Sequence, residues 1–319
     1  MKPRLVVTRT MPEAVVARAI ADYETHFLDI EGRFGADKFL AALVGASAAL
    51  VTPADRIDAG LIARIPACVK VIGTFSVGTD HIDLAAARGR GLAVVNTPDV
   101  LSFATAELAL TLMLMAVRRA GEGERVVRAL GWKGWTPNFM LGTSLEGKTL
   151  GILGMGRIGQ ALAPIARGLS MRVIYHNRRR LRPDLEQGAV FHAEEADFLG
   201  ACDVLSIHLP GGAATRHWLN AGRIARIRPG AIVVNTGRGA TIDDDALIAA
   251  LVSGRIAAAG LDVFAEEPAV PSGYLVLENV VLLPHLGSAT RETRVAMGLL
   301  ALDGIDAVLA GRAAASRVV

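Results

Sequence analysis

Three segments late in the chain place an arginine, acidic residues and a histidine just beyond short apolar runs. They are Asn235-Thr236-Gly237-Arg238-Gly239, Gly260-Leu261-Asp262-Val263-Phe264-Ala265-Glu266-Glu267-Pro268 and Leu283-Pro284-His285-Leu286-Gly287-Ser288. An arginine can grip a carboxylate through a two-pronged hydrogen bond and polarise a neighbouring carbonyl. A histidine can protonate an oxygen as charge builds on it, or take the proton back in the reverse direction. A carboxylate beside that histidine stabilises the imidazolium and fixes its tautomer. Position alone does not separate Glu266 from Glu267, and Asp262 also reads as a turn or helix cap. Of the seven histidines, His285 stands out because it sits between Pro284 and a Gly-Ser turn, where loop residues carry chemistry. None of these residues has to be a nucleophile if a nicotinamide carries the redox step.

A second signal is Gly154-Met155-Gly156-Arg157-Ile158-Gly159. It follows the apolar run Thr149–Leu153 and opens a helical segment, which is the strand–turn–helix setting that a dinucleotide-binding turn requires. Gly154 permits the tight turn, Gly156 leaves room for a pyrophosphate, and Gly159 lets helix and strand pack closely. Free N–H groups at the helix start would receive the phosphates. The next strand should end in the residue that reads the adenosine ribose. NAD-binding chains place a carboxylate there, about 20 residues on. This chain has His176-Asn177-Arg178-Arg179-Arg180, with no carboxylate before Asp184. Guanidinium binds phosphate where a carboxylate would repel it. The expectation is NADP, with NADPH preferred over NADH, read chiefly by Arg178 with Asn177 and Arg179 assisting.

These segments need a scaffold. Apolar, β-branched runs at Leu5–Thr8, Ala49–Thr52, Val69–Phe75, Ala93–Val95, Thr149–Leu153, Arg172–His176, Val204–His208, Ala231–Asn235, Ala257–Asp262 and Val280–Leu283 alternate with Ala/Leu-rich helical segments. Runs that are apolar throughout suit strands covered on both faces, hence parallel sheets between helices. The expected fold class is α/β, with two doubly wound parallel-sheet (Rossmann/flavodoxin-like) domains and an active-site cleft between them. Asn96-Thr97-Pro98 precedes a long helical segment, roughly 102–130, and Leu283-Pro284-His285 precedes a final helix over 289–309. Those breaks predict a discontinuous substrate-binding domain, 1–97 plus 288–319, around a dinucleotide-binding domain, 98–287.

Composition narrows the partners. Across 319 residues, 52% are hydrophobic and 20% charged, enough for packed cores. Thirty-four basic against 31 acidic side chains leave a net charge of +3, too small an excess to suggest nucleic acid. Cys68 and Cys202 are too few for a disulfide framework or a cysteine zinc site, so no metal is expected and the balance fits a reducing cytoplasm. The apolar stretch Leu108–Val117 is too short to span a bilayer, so no membrane partner is expected.

The ordered set Ser76-Val77-Gly78-Thr79-Asp80-His81-Ile82-Asp83, Asn96-Thr97-Pro98, Ala104-Thr105-Ala106-Glu107, the glycine turn, Thr236-Gly237-Arg238-Gly239, Gly260-Leu261-Asp262-Val263-Phe264, Glu267-Pro268 and Leu283-Pro284-His285-Leu286-Gly287-Ser288 resembles the D-isomer-specific 2-hydroxyacid dehydrogenases. The closest likeness is to the glyoxylate/hydroxypyruvate reductase branch. The resemblance implies Arg238, Glu267 and His285 as the catalytic set, so it selects the glutamate before proline. It implies that the Val77 and Gly78 amides bind the substrate carboxylate, with Arg238 and His285. It implies cofactor contacts at Thr105, Arg157, Ile158, His208, Pro210, Thr236, Asp262 and Gly287. It further implies a homodimer, with Trp135 near the partner's substrate pocket, acting on a small 2-oxo or 2-hydroxy acid. Rival expectations are larger phenylpyruvate-type acids or phosphite oxidation on the same scaffold. A nucleotide-sensing binding protein without turnover is the rival from another class.

Overall fold

The computed structural model describes residues 1–32 and 35–319. The chain forms two compact units, Met1–Leu101 with Ala289–Val319, and Ser102–Ser288. Each is a parallel sheet flanked by helices, as the unbroken apolar runs require.

The first unit holds β1 (Arg4–Val7), β2 (Glu24–Phe27), β3 (Ala48–Val51), β4 (Val71–Thr74) and β5 (Ala93–Val95), in the order β2-β1-β3-β4-β5. Every pairing is parallel. The strand order reverses between β1 and β3, the point where open α/β sheets bind ligands. A polar knot lies there. The fully buried Asp55 carboxylate accepts from Thr8 Oγ1 at 2.6 Å, from Thr52 N at 2.8 Å, from Thr52 Oγ1 at 3.0 Å, and from Arg9 Nε and Nη2 at 3.0 and 2.8 Å. It thus ties the chain just past β1 to the chain just past β3. Removing the carboxylate takes the partner from a partly buried guanidinium and two hydroxyls, a cost of about 3 kcal/mol. Asp55→Ala is therefore expected to lower the melting temperature by roughly 10 °C in thermal circular dichroism. A drop below about 2 °C would show the knot to be dispensable.

The second unit holds β6 (Thr149–Leu153), β7 (Arg172–His176), β8 (Val190–Phe191), β9 (Val204–Ile207), β10 (Ala231–Asn235), β11 (Ile256–Leu261) and β12 (Val280–Leu282), ordered β12-β11-β10-β9-β6-β7-β8. All pairs are again parallel. Its order reverses between β6 and β9, so the Gly154 turn and His208 emerge side by side at the carboxyl edge. β6, β9 and β10 are buried along their whole length.

Two strands, β2 and β8, have no counterpart among the runs read from sequence, and the long helix expected over 102–130 is two. The first spans Ser102–Val117 and buries half of its residues, while the second spans Ala120–Arg128 and buries none. Between them Arg119 adopts φ 52°. There the Val117 carbonyl accepts from Thr143 N at 2.8 Å instead of continuing the helix. No described helix is long and apolar enough to cross a membrane, and no cluster of three metal-ligating side chains occurs among the described residues.

Candidate active site

The glycine turn behaves as its spacing predicts. Gly154 has φ +92°, and a Cβ there would meet the His208 carbonyl oxygen at 3.0 Å. At Gly159 a Cβ would lie 2.8 Å from Ile152 Cγ2 on β6, so the helix Arg157–Gly168 packs directly on the strand. At Gly156 a Cβ would meet nothing within 4 Å. The protein itself makes no demand for glycine there, whereas a phosphate drawn to the helix start does. This cradle fits a dinucleotide pyrophosphate. Met155 N donates to Asn177 Oδ1 at 2.7 Å, so Asn177 braces the turn from the end of β7.

Arg178, Arg179 and Arg180 are all exposed beyond β7. Arg180 is tied back to Glu186 by Nε at 2.7 Å and Nη2 at 3.1 Å. Arg178 and Arg179 make no hydrogen bond or ion pair among the described residues. The nearest following carboxylate, Asp184, pairs with Arg182 at 2.8 Å. The three arginines are therefore not equivalent: two are available to an anion and one is structural.

His208, one residue past β9, has both ring nitrogens engaged, Nε2 with Ser206 Oγ at 2.9 Å and Nδ1 with Thr236 Oγ1 at 3.3 Å. Burial lowers its imidazole to about 4, so it is uncharged at neutral pH. Ser206 is the residue sequence reading missed here. Its signal was a lone hydroxyl in an otherwise apolar strand, two residues before the histidine. Pro210 follows as an exposed loop residue, and Thr105 lies buried on the helix Ser102–Val117, donating to the Gly287 carbonyl at 3.0 Å.

The structure brings Arg238, Glu267 and His285 to the carboxyl ends of β10, β11 and β12. Glu267 Oε2 lies 2.7 Å from His285 Nδ1, and Glu267 Oε1 accepts from Phe264 N at 3.0 Å. Nδ1 is thus the proton-bearing atom facing the carboxylate, and Nε2, which makes no hydrogen bond among the described residues, remains for a reacting group. Burial pushes the Glu267 carboxyl up, but the hydrogen bond and charge of His285, the Phe264 amide and the charge of Arg238 outweigh it. The group ends below its ordinary value. Glu266 makes only a short antiparallel bridge with Ala269, so geometry separates the two glutamates that sequence position did not.

The Arg238 loop is clamped against the Glu267 loop. A Cβ on Gly239 would fall 2.0 Å from the Phe264 carbonyl carbon, so only glycine admits the contact. Asn235 fixes the same loop by donating from Nδ2 to the Arg238 carbonyl at 3.0 Å and accepting from Gly237 N at 2.9 Å. Asn235 too was missed, although a polar residue ending a fully buried strand was the clue. Asp262 holds the His285 loop. Its carbonyl accepts from His285 N at 2.8 Å, and its fully buried carboxylate accepts from Leu286 N at 2.7 Å and Gly287 N at 2.9 Å. Burial raises the Asp262 carboxyl despite those amides and the charge of His285. Val77 and Gly78 belong to the first unit. Trp135 is 80% exposed on the irregular stretch 129–148.

A strand–turn–helix glycine cradle and a hydrogen-bonded glutamate–histidine pair at the carboxyl edge of one parallel sheet fit a nicotinamide-dependent oxidoreductase. Residues 110–287 match the family model for the D-isomer specific 2-hydroxyacid dehydrogenase NAD binding domain. The chain is 40% identical over 312 residues to the glycerate dehydrogenase of Hyphomicrobium methylovorum, covering 97% of each chain. It is 43% identical over 318 residues to the glyoxylate reductase of Aeropyrum pernix, covering 98% of this chain and 94% of that one. Among solved structures, an NADPH-dependent glyoxylate/hydroxypyruvate reductase from Sinorhizobium meliloti, in complex with NADP and malonate, superposes with a TM-score of 0.90 at 33% identity, covering 100% and 97%. The chain belongs to the D-isomer-specific 2-hydroxyacid dehydrogenases, in the glyoxylate reductase branch.

Proposed function

We propose that this enzyme reduces small 2-oxo acids, glyoxylate and hydroxypyruvate first among them, to D-2-hydroxy acids with NADPH. The observation that carries the reading is the 2.7 Å Glu267–His285 contact at the edge of the same sheet that bears the glycine cradle. With its pyrophosphate held at that cradle, the cofactor would supply the hydride from its dihydronicotinamide. Arg238 holds the substrate carboxylate and polarises the adjacent carbonyl, and in the first unit the Val77 and Gly78 amides are donors suited to a carboxylate. His285 delivers its proton from Nε2 to the carbonyl oxygen as negative charge develops there. Glu267 keeps Nδ1 protonated and offsets the imidazolium charge, which its own lowered value at neutral pH allows. Asp262 and Thr105 steady the His285 loop, and Asn177, Arg178 and Arg179 take the adenosine side of the cofactor. A homodimer is part of the reading. Leu130, Trp132, Trp135, Phe139 and Leu141 are all exposed on one short stretch, which suits a surface covered by a second copy.

The test is a panel of 2-oxo acids assayed with NADPH and with NADH, following cofactor absorbance. Steady oxidation of NADPH by glyoxylate and hydroxypyruvate, faster than by phenylpyruvate, is the expected result. Tight NADPH binding with no turnover on any acid would overturn the reading in favour of a sensor.

A further inference from the structure

The loop after β4 is built to turn its amides outward. A trans peptide holds each C=O opposite the N–H of the next residue, so anchoring a carbonyl on one side aims that N–H to the other. Three consecutive carbonyls of this loop are anchored. Ser76 O accepts from Thr97 N at 2.9 Å, Val77 O accepts from Asn96 Nδ2 at 2.8 Å, and Gly78 O accepts from Ser76 Oγ at 2.7 Å. The N–H groups that these fix are those of Val77, Gly78 and Thr79, none of which donates a hydrogen bond in the described structure. Asn96 is itself held, since its backbone N donates to Ser316 O at 2.9 Å, in the segment that follows the last helix.

The Ser76 hydroxyl has one proton, and it goes to Gly78 O. Thr74 Oγ1, 2.8 Å from Ser76 Oγ, must therefore donate to it. That leaves Thr74 Oγ1 as the acceptor toward His81 Nε2 at 2.9 Å, so Nε2 carries the ring proton. Hydrogen-bond donation runs one way, from His81 through Thr74 and Ser76 to the Gly78 carbonyl. The Arg294 guanidinium lies 5.9 Å from the ring centroid of Phe75, the residue before this loop.

We infer that Asn96 and Ser76 are positioning residues for the substrate carboxylate: by anchoring the carbonyls of Val77 and Gly78 they hold the N–H groups of Gly78 and Thr79 outward, beside that of Val77. Thr79 N–H thereby becomes a third donor to the acid. This rests on the reading that the loop takes the carboxylate, and it names what makes the loop competent.

The experiment measures KM and kcat for glyoxylate, the dissociation constant of oxalate on the NADPH-loaded enzyme by calorimetry, and NADPH affinity alone, in Asn96→Ala, Ser76→Ala and Ser76→Thr. Each alanine variant is expected to raise the glyoxylate KM and the oxalate constant roughly tenfold, the weight of one good hydrogen bond. kcat and NADPH affinity stay within about threefold, and Ser76→Thr, which keeps the hydroxyl, recovers both values. Asn96→Leu, similar in size but without the donor, gives the same shift and stands in if an alanine variant does not fold. Unmoved KM and oxalate constants, with only kcat or melting temperature changed, would overturn the inference. Calorimetry separates it from the wider reading. A wild-type enzyme that turns over no 2-oxo acid sinks the proposed activity, yet oxalate binding that depends on Asn96 and Ser76 would still uphold the loop. If wild type neither turns over nor binds oxalate, both fall.

Discussion

His285→Gln is expected to lower kcat for glyoxylate reduction by about 10³-fold, within the 10²–10⁴ that positioned proton transfer supplies. Glutamine can keep a hydrogen bond to Glu267 but carries no transferable proton, so the variant isolates the chemistry from the packing. NADPH affinity, read from quenching of its fluorescence, should be unchanged, because the glycine cradle and the residues beyond β7 are untouched. A loss smaller than tenfold would remove His285 as the acid. The pH profile adds a second, independent arm. The Glu267 carboxyl sits below its ordinary value because His285 and Arg238 oppose the effect of burial, so it stays ionised well below neutral pH. Its contribution to folding is therefore present above the unfolded carboxyl range and is lost only as pH falls through the lowered folded value. Glu267→Gln takes away the charge that offsets the imidazolium formed at the acid, so it should lower kcat for glyoxylate while leaving NADPH affinity unchanged, and an unchanged kcat would contradict the arrangement.

Much of this was legible in the sequence because the governing signals are local. Strands such as β6 and β10 match their runs residue for residue, since both are buried along their whole length. The glycine turn was legible because a strand, a φ > 0 turn and a close helix contact must all fall within six residues. The two strands not foreseen are both sheet edges. β2, Glu24-Thr25-His26-Phe27, alternates exposed and half-buried positions, and β8 is two residues long. Their places are set by the strand they pair with rather than by their own hydrophobicity. The break after Val117 was invisible for a similar reason, because Thr143, distant in sequence, caps the helix carbonyl. At the site, the types of Arg238, Glu267 and His285 could be read, but their supports could not. Ser206 acts through one hydrogen bond to His208, and Asn235 through bonds with Gly237 N and Arg238 O, all to near neighbours whose meeting depends on how the backbone turns after the strand rather than on residue type. Likewise, nothing in Arg178-Arg179-Arg180 foretells that Glu186 withdraws the third arginine.

That withdrawal sharpens the cofactor prediction. If the residues beyond β7 read a 2′-phosphate, Arg178 and Arg179 must do so, since Arg180 is spent on Glu186. A charged hydrogen bond contributes about 1.5–3 kcal/mol, and two exposed ones, weakened by solvent and salt, together amount to about 3 kcal/mol. Arg178→Ala/Arg179→Ala should accordingly raise KM for NADPH by about 100-fold while moving KM for NADH less than threefold. Added salt should erode the wild-type preference for NADPH and leave the double variant nearly indifferent, because the interaction being screened is gone. Arg180→Ala is the control. It frees Glu186, loosens the bond from Tyr175 Oη to that carboxylate, 2.7 Å in the native chain, and so lowers thermal stability without altering the NADPH to NADH ratio. Equal weakening of both cofactors in the double variant would mean that the pair is a solvated basic turn. A shift in preference from Arg180→Ala alone would mean that the phosphate is read by the arginine the fold has tied back.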